Sequence, residues 1–130
     1  MDHVRSGTIV VSWDAEKRLA VLIYEVPTRA TGEQFRPLLK VLEEWLAGDE
    51  RPFYFLNDCK PLLSMDTECR ALWWDFFRPR CQRAWAALYN MSPMIQIVAE
   101  MYRAATGIRM KGFSSEAAAR AWLRQQGAAL

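Results

Sequence analysis

The chain has 130 residues, 52% of them hydrophobic, which suits a single domain spanning residues 1–130 with a substantial core. Its net charge of +2 is too mild to argue for a nucleic-acid partner, which requires a clustered basic face. No apolar run approaches the roughly 20 residues of a membrane-spanning helix, so no membrane span is expected.

Two short apolar runs near the N-terminus predict a β-hairpin. Residues 8–13 are rich in β-branched side chains, and residues 19–24 are almost wholly apolar. Because only a short polar segment separates the two runs, they are expected to pair as neighbouring strands. The continuous apolarity of the second run indicates a strand that is buried on both faces.

A helix is predicted to follow the hairpin. Thr31 and Gln34 have the spacing of a capping box, and Gly48 is the expected end of the helix. Pro37 leaves two alternatives open: either the first turn is distorted, or the helix begins near Gln34. The apolar residues at helical spacing are Phe35, Leu38, Leu39, Leu42 and Leu46. Residues 52–58 then predict a third strand with a polar end.

The second predicted helix holds four aromatic residues within residues 73–77. Asp66 or Thr67 is expected to cap it, and Pro79 to end it. On a helical wheel its apolar residues cover roughly 200°, twice the stripe that an ordinary amphipathic helix buries. Leu72, Trp73 and Phe76 are therefore assigned to the core. Trp74 and Phe77 are predicted to stay partly exposed as an interaction patch, with Arg70 stacked on Trp74.

The remaining elements are predicted to alternate between strand and helix. Residues 84–89 form a buried strand, and Ser92 with Pro93 begins a helix that Gly107 ends. Its apolar stripe consists of Met94, Ile97, Val98, Met101, Tyr102 and Ala105. A strand at residues 108–113 and a last helix capped by Ser114 or Ser115 complete the chain. The order ββαβαβαβα predicts an α/β domain with about four helices and a mixed, mostly parallel sheet of about five strands, including the N-terminal hairpin.

The sequence contains no recognisable catalytic or metal-binding motif. The single histidine, His3, lies at a terminus that is expected to be loose, and no spacing of ligands suggests a metal or a cofactor. Three widely spaced cysteines indicate reduced thiols, and Cys59 is interpreted as an inert, part-buried one. No apolar signal segment begins the chain, so a cytoplasmic location is expected. An active site assembled from scattered residues such as Tyr24, Asp58 and Arg70 remains an alternative.

A family resemblance rests on three features: the order of elements, the Asn57-Asp58 end of the third strand, and the closing segment 112–117 followed by residues 121–123. Together they resemble the STAS-like domains, relatives of bacterial anti-sigma-factor antagonists that overlap in fold with the lipid-binding CRAL-TRIO domains. The resemblance implies a non-enzymatic regulatory module of bacterial signalling that binds a protein partner or a second copy of itself. The alternative is a binder of a lipid or another apolar small molecule.

The resemblance also implies a phosphorylation switch. In antagonist-type members, a partner kinase phosphorylates a serine or threonine at the start of the helix after the third strand. Thr67 and Ser64 are the candidates here, although the Asp-Ser-Ser-Gly type of signature is absent. The competing interpretation gives the Thr67 hydroxyl a purely structural role on the free amides of the helix. The expected interaction surface consists of Trp74, Phe77, Arg70 and Asp58.

Overall fold

Eight strands and four helices follow one another in the computed structural model, which describes residues 1–130. They are β1 (Asp2–Ser6), β2 (Ile9–Asp14), β3 (Leu19–Tyr24), β4 (Thr28–Ala30), α1 (Gly32–Leu46), β5 (Phe53–Asp58), β6 (Leu62–Met65), α2 (Thr67–Phe77), β7 (Ala84–Tyr89), α3 (Pro93–Thr106), β8 (Arg109–Phe113) and α4 (Glu116–Gln125). A short 3-10 turn, Arg78–Arg80, follows α2.

The main sheet has six strands in the order β1-β2-β3-β5-β7-β8. The first three strands pair in antiparallel fashion, and the remaining pairs are parallel. The predicted class, a mixed sheet with an N-terminal hairpin and four helices, is therefore confirmed. The sheet is one strand larger than expected because the N-terminus is not loose: Asp2–Ser6 pairs with β2, and exposed His3 lies within it. Its mostly polar residues carry no apolar alternation, so periodicity offers no signal for this strand.

A second, two-stranded sheet was also missed. It joins β4 to β6 in parallel, and each strand has only three or four residues. Each of these strands leads directly into a helix, β4 into α1 and β6 into α2. A hydrogen bond from the Asp66 amide to the Ala30 carbonyl (2.9 Å) extends this pairing. The pairing therefore places the N-termini of α1 and α2 side by side.

The helices cover the two faces of the main sheet unequally. On one face, α1, α2 and α3 enclose a core of 28 buried residues, whereas α4 covers the other face with a cluster of eight. Alternate residues of β5 enter the two clusters, for example Phe55 and Leu56, which explains why this strand is continuously apolar. No helix combines the length and apolarity needed to cross a membrane.

Local signals set the helix starts correctly. The capping box at α1 is complete: the Gln34 amide donates to Thr31 Oγ1 (3.2 Å), and the Thr31 amide donates to Gln34 Oε1 (3.0 Å). The helix begins at Gly32, and Pro37 is accommodated on its exposed side without ending it. At the far end of α3, Gly107 adopts the left-handed conformation (φ 72°) that ends many helices.

Candidate functional site

Helix α3 exposes most of the apolar stripe that the sequence predicts for it. Met94, Ile97 and Met101 are 58%, 63% and 58% exposed. The buried residues of the helix are Ile95, Ala99, Tyr102 and Thr106. These recur at helical spacing too, so α3 has two apolar stripes, and periodicity could not tell which one faces the sheet. The predicted helix is confirmed, and Tyr102 alone belongs to both the predicted stripe and the buried set.

A groove of about 330 Å³ lies between α2 and α3, at the N-terminal half of α2. Its apolar wall includes Trp74, which is 38% exposed, and Met101 from the neighbouring helix. The residues that line it are Thr67, Arg70, Ala71, Trp74, Val98, Met101 and Tyr102. Three of the predicted site residues, Thr67, Arg70 and Trp74, therefore meet in one groove. We refer to this surface as the α2/α3 groove.

Phe77 does not take part in the α2/α3 groove. It is only 4% exposed, and its ring stacks on Trp73 (5.4 Å between centroids) and meets Phe55 edge-on at 5.8 Å. The expectation of an exposed Phe77 was wrong because the last turn of α2 packs its ring against β5, where sheet and helix close the core. Trp73 and Phe76 are buried as predicted, at 5% and 1% exposed.

Asp58 and Ser64 also lie apart from the residues that line the groove. Asp58 ends β5, where its Oδ1 atom accepts hydrogen bonds from the Lys60 amide (3.0 Å) and the Asn90 side chain (3.3 Å). Ser64 is half-buried in β6, opposite Arg29 of β4. Ser64 precedes the start of α2 by a short segment but is part of a strand rather than of a loop.

Asp66, not Thr67, caps α2. Its Oδ1 atom accepts hydrogen bonds from the Cys69 amide (2.7 Å) and from the Gly32 amide at the start of α1 (3.1 Å). One carboxylate therefore satisfies free amides of two helices. The purely structural interpretation of Thr67 was wrong in this respect, because its exposed hydroxyl is not needed as a cap.

The guanidinium group of Arg70 turns towards Thr67 rather than towards Trp74. Its Nη2 atom lies 3.4 Å from Thr67 Oγ1, and no cation–π contact joins it to Trp74. Its Nε atom is buried without a hydrogen-bond partner. Arg70 therefore keeps hydrogen-bonding capacity beside an exposed hydroxyl at a helix N-terminus.

Tyr102 ties α3 to α2 behind the groove. Its hydroxyl donates a hydrogen bond to the backbone carbonyl of Arg70. Burial raises the pKa of Tyr102 well above its usual range, so the hydroxyl remains a donor at neutral pH. The relative position of the two helices is thereby set by a buried hydrogen bond beneath the exposed Met101 and Trp74.

The cavity inside the core is small. Its volume is about 50 Å³, and Asn57 is the one clearly polar side chain among residues that otherwise include Tyr24, Trp73 and Tyr102. The Oδ1 atom of Asn57 has no hydrogen-bond partner. Binding a lipid requires a cavity of roughly 300 Å³ or more. The lipid alternative therefore lacks the deep cavity on which it depends.

The buried thiols do not offer a reactive nucleophile. Burial, with a smaller contribution from the Asp58 carboxylate, raises the pKa of Cys59 to about 12. Burial followed by the charge of Asp66 raises the pKa of Cys69 to about 12. Both thiols are consequently protonated at neutral pH. No group of three or more His, Cys, Asp or Glu side chains is placed to hold a metal ion.

Comparison with known proteins gives the fold. No family model matches the chain, and no curated protein matches it in sequence. An uncharacterised protein from Shewanella loihica with a SpoIIAA-like fold superimposes with a TM-score of 0.64 at 16% identity, covering 94% of this chain and 90% of that one. A putative anti-sigma factor antagonist from Thermotoga maritima has a TM-score of 0.62 at 9% identity, covering 92% and 97%.

SiaC from Pseudomonas aeruginosa has the same architecture. In its apo form it superimposes with a TM-score of 0.61 at 14% identity, covering 88% of this chain and 100% of that chain. SiaC has also been solved in complex with the diguanylate cyclase SiaD, which it activates. At these identities the likeness shows the fold alone: the chain has a SpoIIAA-like fold, which confirms the STAS-like fold predicted from the sequence.

Proposed function

We propose that this protein is a non-enzymatic regulatory module of bacterial signalling that binds a partner protein through the α2/α3 groove. One observation carries the proposal: Trp74 and Met101 expose apolar surface beside the Thr67 hydroxyl and the Arg70 guanidinium. Tryptophan and arginine are the residue types most often found at the energetic centres of protein interfaces. The groove combines both with a polar rim.

The structural neighbours support a regulatory role. One of them is a putative anti-sigma factor antagonist, and another activates a diguanylate cyclase with which it forms a complex. Each of these two neighbours acts on another protein, and we propose the same mode of action for this chain. The partner is a protein with an apolar side chain to fill the groove; a second copy of this chain is the competing partner.

Phosphorylation of Thr67 is proposed as the control. Thr67 is the first residue of α2, where the positive end of the helix dipole favours added phosphate charge. The Nη2 atom of Arg70, 3.4 Å from the hydroxyl, is placed to pair with that phosphate. The doubly charged group would then stand at the mouth of an apolar groove and lower the affinity for an apolar partner. Ser64, half-buried in β6, is the second candidate.

The experiment begins by identifying the partner. A photo-crosslinking amino acid in place of exposed Ala71, which lines this groove, should capture it in cells, and the same amino acid at exposed Lys40 on α1 is the matched control. Isothermal titration with the purified partner should then show binding weakened by about thirtyfold for Trp74→Ala, the loss of a typical interface hot spot. Ile23→Ala, which removes an exposed apolar residue from β3, should bind like wild type.

The switch is tested with the same partner. Thr67→Glu should bind more weakly than wild type, and Thr67→Ala should bind like wild type. Ser64→Glu shows whether a charge at the second candidate position also weakens binding. Equal affinities of the wild type, Thr67→Ala and Thr67→Glu would end the switch proposal and leave the groove untouched. Sedimentation equilibrium of wild type and Trp74→Ala decides whether the partner is a second copy.

A further inference from the structure

Strand β8 is an open edge of the main sheet. It pairs with β7 alone, and both Lys111 and Gly112 are exposed. The Phe113 carbonyl accepts a hydrogen bond from the Asn90 amide just beyond β7 (3.2 Å), so the backbone groups of Phe113 point towards β7. Because this direction alternates along a strand, the backbone N–H and C=O groups of Met110 and Gly112 point outwards. They are free to pair with another strand.

A wide groove of about 1290 Å³ runs between this edge and α3. Its apolar surface comes from Met91, Ile97 and Met101, of which the last two are more than half exposed. Gly112 makes room for the Met91 side chain, since a Cβ atom at position 112 would lie 2.2 Å from the Met91 methyl group. This surface, the β8 groove, lies on the other side of α3 from the α2/α3 groove and shares Met101 with it.

The side chains on the opposite face of β8 carry unpaired positive charge. The Arg109 guanidinium lies 4.3 Å from the Trp85 ring, and the Lys111 ammonium lies 5.6 Å from the Phe113 ring. Neither forms an ion pair, whereas Arg5 on the other edge strand, β1, is paired with Glu25. Two copies of β8 cannot pair well with each other, because like charges on neighbouring strands repel. The charge therefore selects an acidic partner.

We propose that the β8 edge binds an extended segment of a partner protein in which acidic and apolar residues alternate. The segment adds a strand to the sheet through the outward backbone groups of Met110 and Gly112. Because successive side chains of a strand point to opposite faces, its acidic residues meet Arg109 and Lys111 on one face. Its apolar residues then face the β8 groove. Apart from Met101, this surface and the α2/α3 groove have no lining residue in common, so either proposal can fail without the other.

The binding test uses synthetic peptides and the unmodified full chain. A fluorescent ten-residue peptide of alternating glutamate and valine is titrated by fluorescence polarisation at low salt. The control peptide has the same composition arranged in two blocks. We expect the alternating peptide to bind at least about tenfold more tightly, since only it presents one charged and one apolar face to the edge. Equal binding of the two, or no binding of the alternating peptide at about 1 mM, would overturn the proposal.

Two further arms test the geometry. Methylating the amide nitrogens of either all glutamates or all valines should abolish binding for one set and spare the other, because only alternate amides face β8. Lys111→Glu should weaken binding of the glutamate–valine peptide by about tenfold. The same variant should bind an alternating lysine–valine peptide more tightly than wild type does. Lys40→Glu, an exposed change on α1, is the matched charge control. The proposal fails if both methylated peptides bind alike, or if Lys111→Glu behaves like Lys40→Glu.

Discussion

Helices α2 and α3 lie on the same face of the sheet, yet they use their apolar residues in opposite ways. In α2 three of the four aromatic side chains, Trp73, Phe76 and Phe77, are buried, and Trp74 is 38% exposed. In α3 three large apolar side chains, Met94, Ile97 and Met101, are more than half exposed, although the helix also buries Ile95 and Tyr102. The first helix fills the core, whereas the second helix presents an apolar ridge between two grooves.

An apolar stripe therefore marks a helix face that prefers burial, but it does not identify what buries that face. The α3 ridge runs between the α2/α3 groove and the β8 groove, and Met101 lines both. Contiguous exposed apolar surface of this kind usually marks an interaction site. Both proposed docking surfaces depend on α3 having turned a different set of residues, Ile95, Ala99, Tyr102 and Thr106, towards the core.

The largest expected effect compares two adjacent tryptophans of α2. Trp73 is 5% exposed and lies 5.3 Å and 5.4 Å, ring centroid to centroid, from Phe35 and Phe55. Trp73→Ala should lower the free energy of unfolding by about 4 kcal/mol, as truncation of a core aromatic residue typically does. Trp74→Ala should cost about 1 kcal/mol or less. Urea denaturation of both variants measures this; similar losses would mean that Trp74 is a core residue.

A second prediction compares the two faces of α3 by making the same substitution, isoleucine to alanine, on each face. Ile95 is 3% exposed and Ile97 is 63% exposed. Ile95→Ala should cost about 3 kcal/mol of unfolding free energy because it leaves a cavity, whereas Ile97→Ala should cost about 0.5 kcal/mol or less. Thermal and urea denaturation report both values. If Ile97→Ala proves the more damaging change, the helix is rotated relative to the structure and the exposed ridge does not exist.

The smallest expected effect concerns the caps of the two helices. The Asp66 carboxylate accepts from amides of both α1 and α2, whereas Ser92 Oγ accepts only from the Ile95 amide of α3 (3.2 Å). Asp66→Ala should therefore cost about 2 kcal/mol, near the top of the range for a cap, and Ser92→Ala about 1 kcal/mol. Urea denaturation of the two variants, with Thr67→Ala as a control, measures the difference. A loss for Thr67→Ala as large as that for Asp66→Ala would restore Thr67 as the cap.

Much of the architecture followed from local signals. The capping box at Thr31, the Ser92-Pro93 start of α3 and the apolar runs of β3, β5 and β7 placed most elements correctly, because each depends on residues close in sequence. Of the candidate site, Thr67, Arg70 and Trp74 were identified by their position near the start of α2 and on one edge of its wide apolar arc. Phe77 was wrongly included in the exposed patch, because its burial depends on Phe55 in another strand.

The class of fold and the order of its main elements follow from local sequence, since turn residues, caps and apolar periodicity act over a few positions. Long-range packing determined the structure where a segment had two equally good apolar faces or where its local signal was weak. Polar Asp2–Ser6 became a strand because β2 offered a partner, and α3 had two stripes of equal spacing, of which the one containing Ala99 was buried. Which surfaces remain open is likewise a property of the packed molecule, because exposure is defined only once every neighbour is in place.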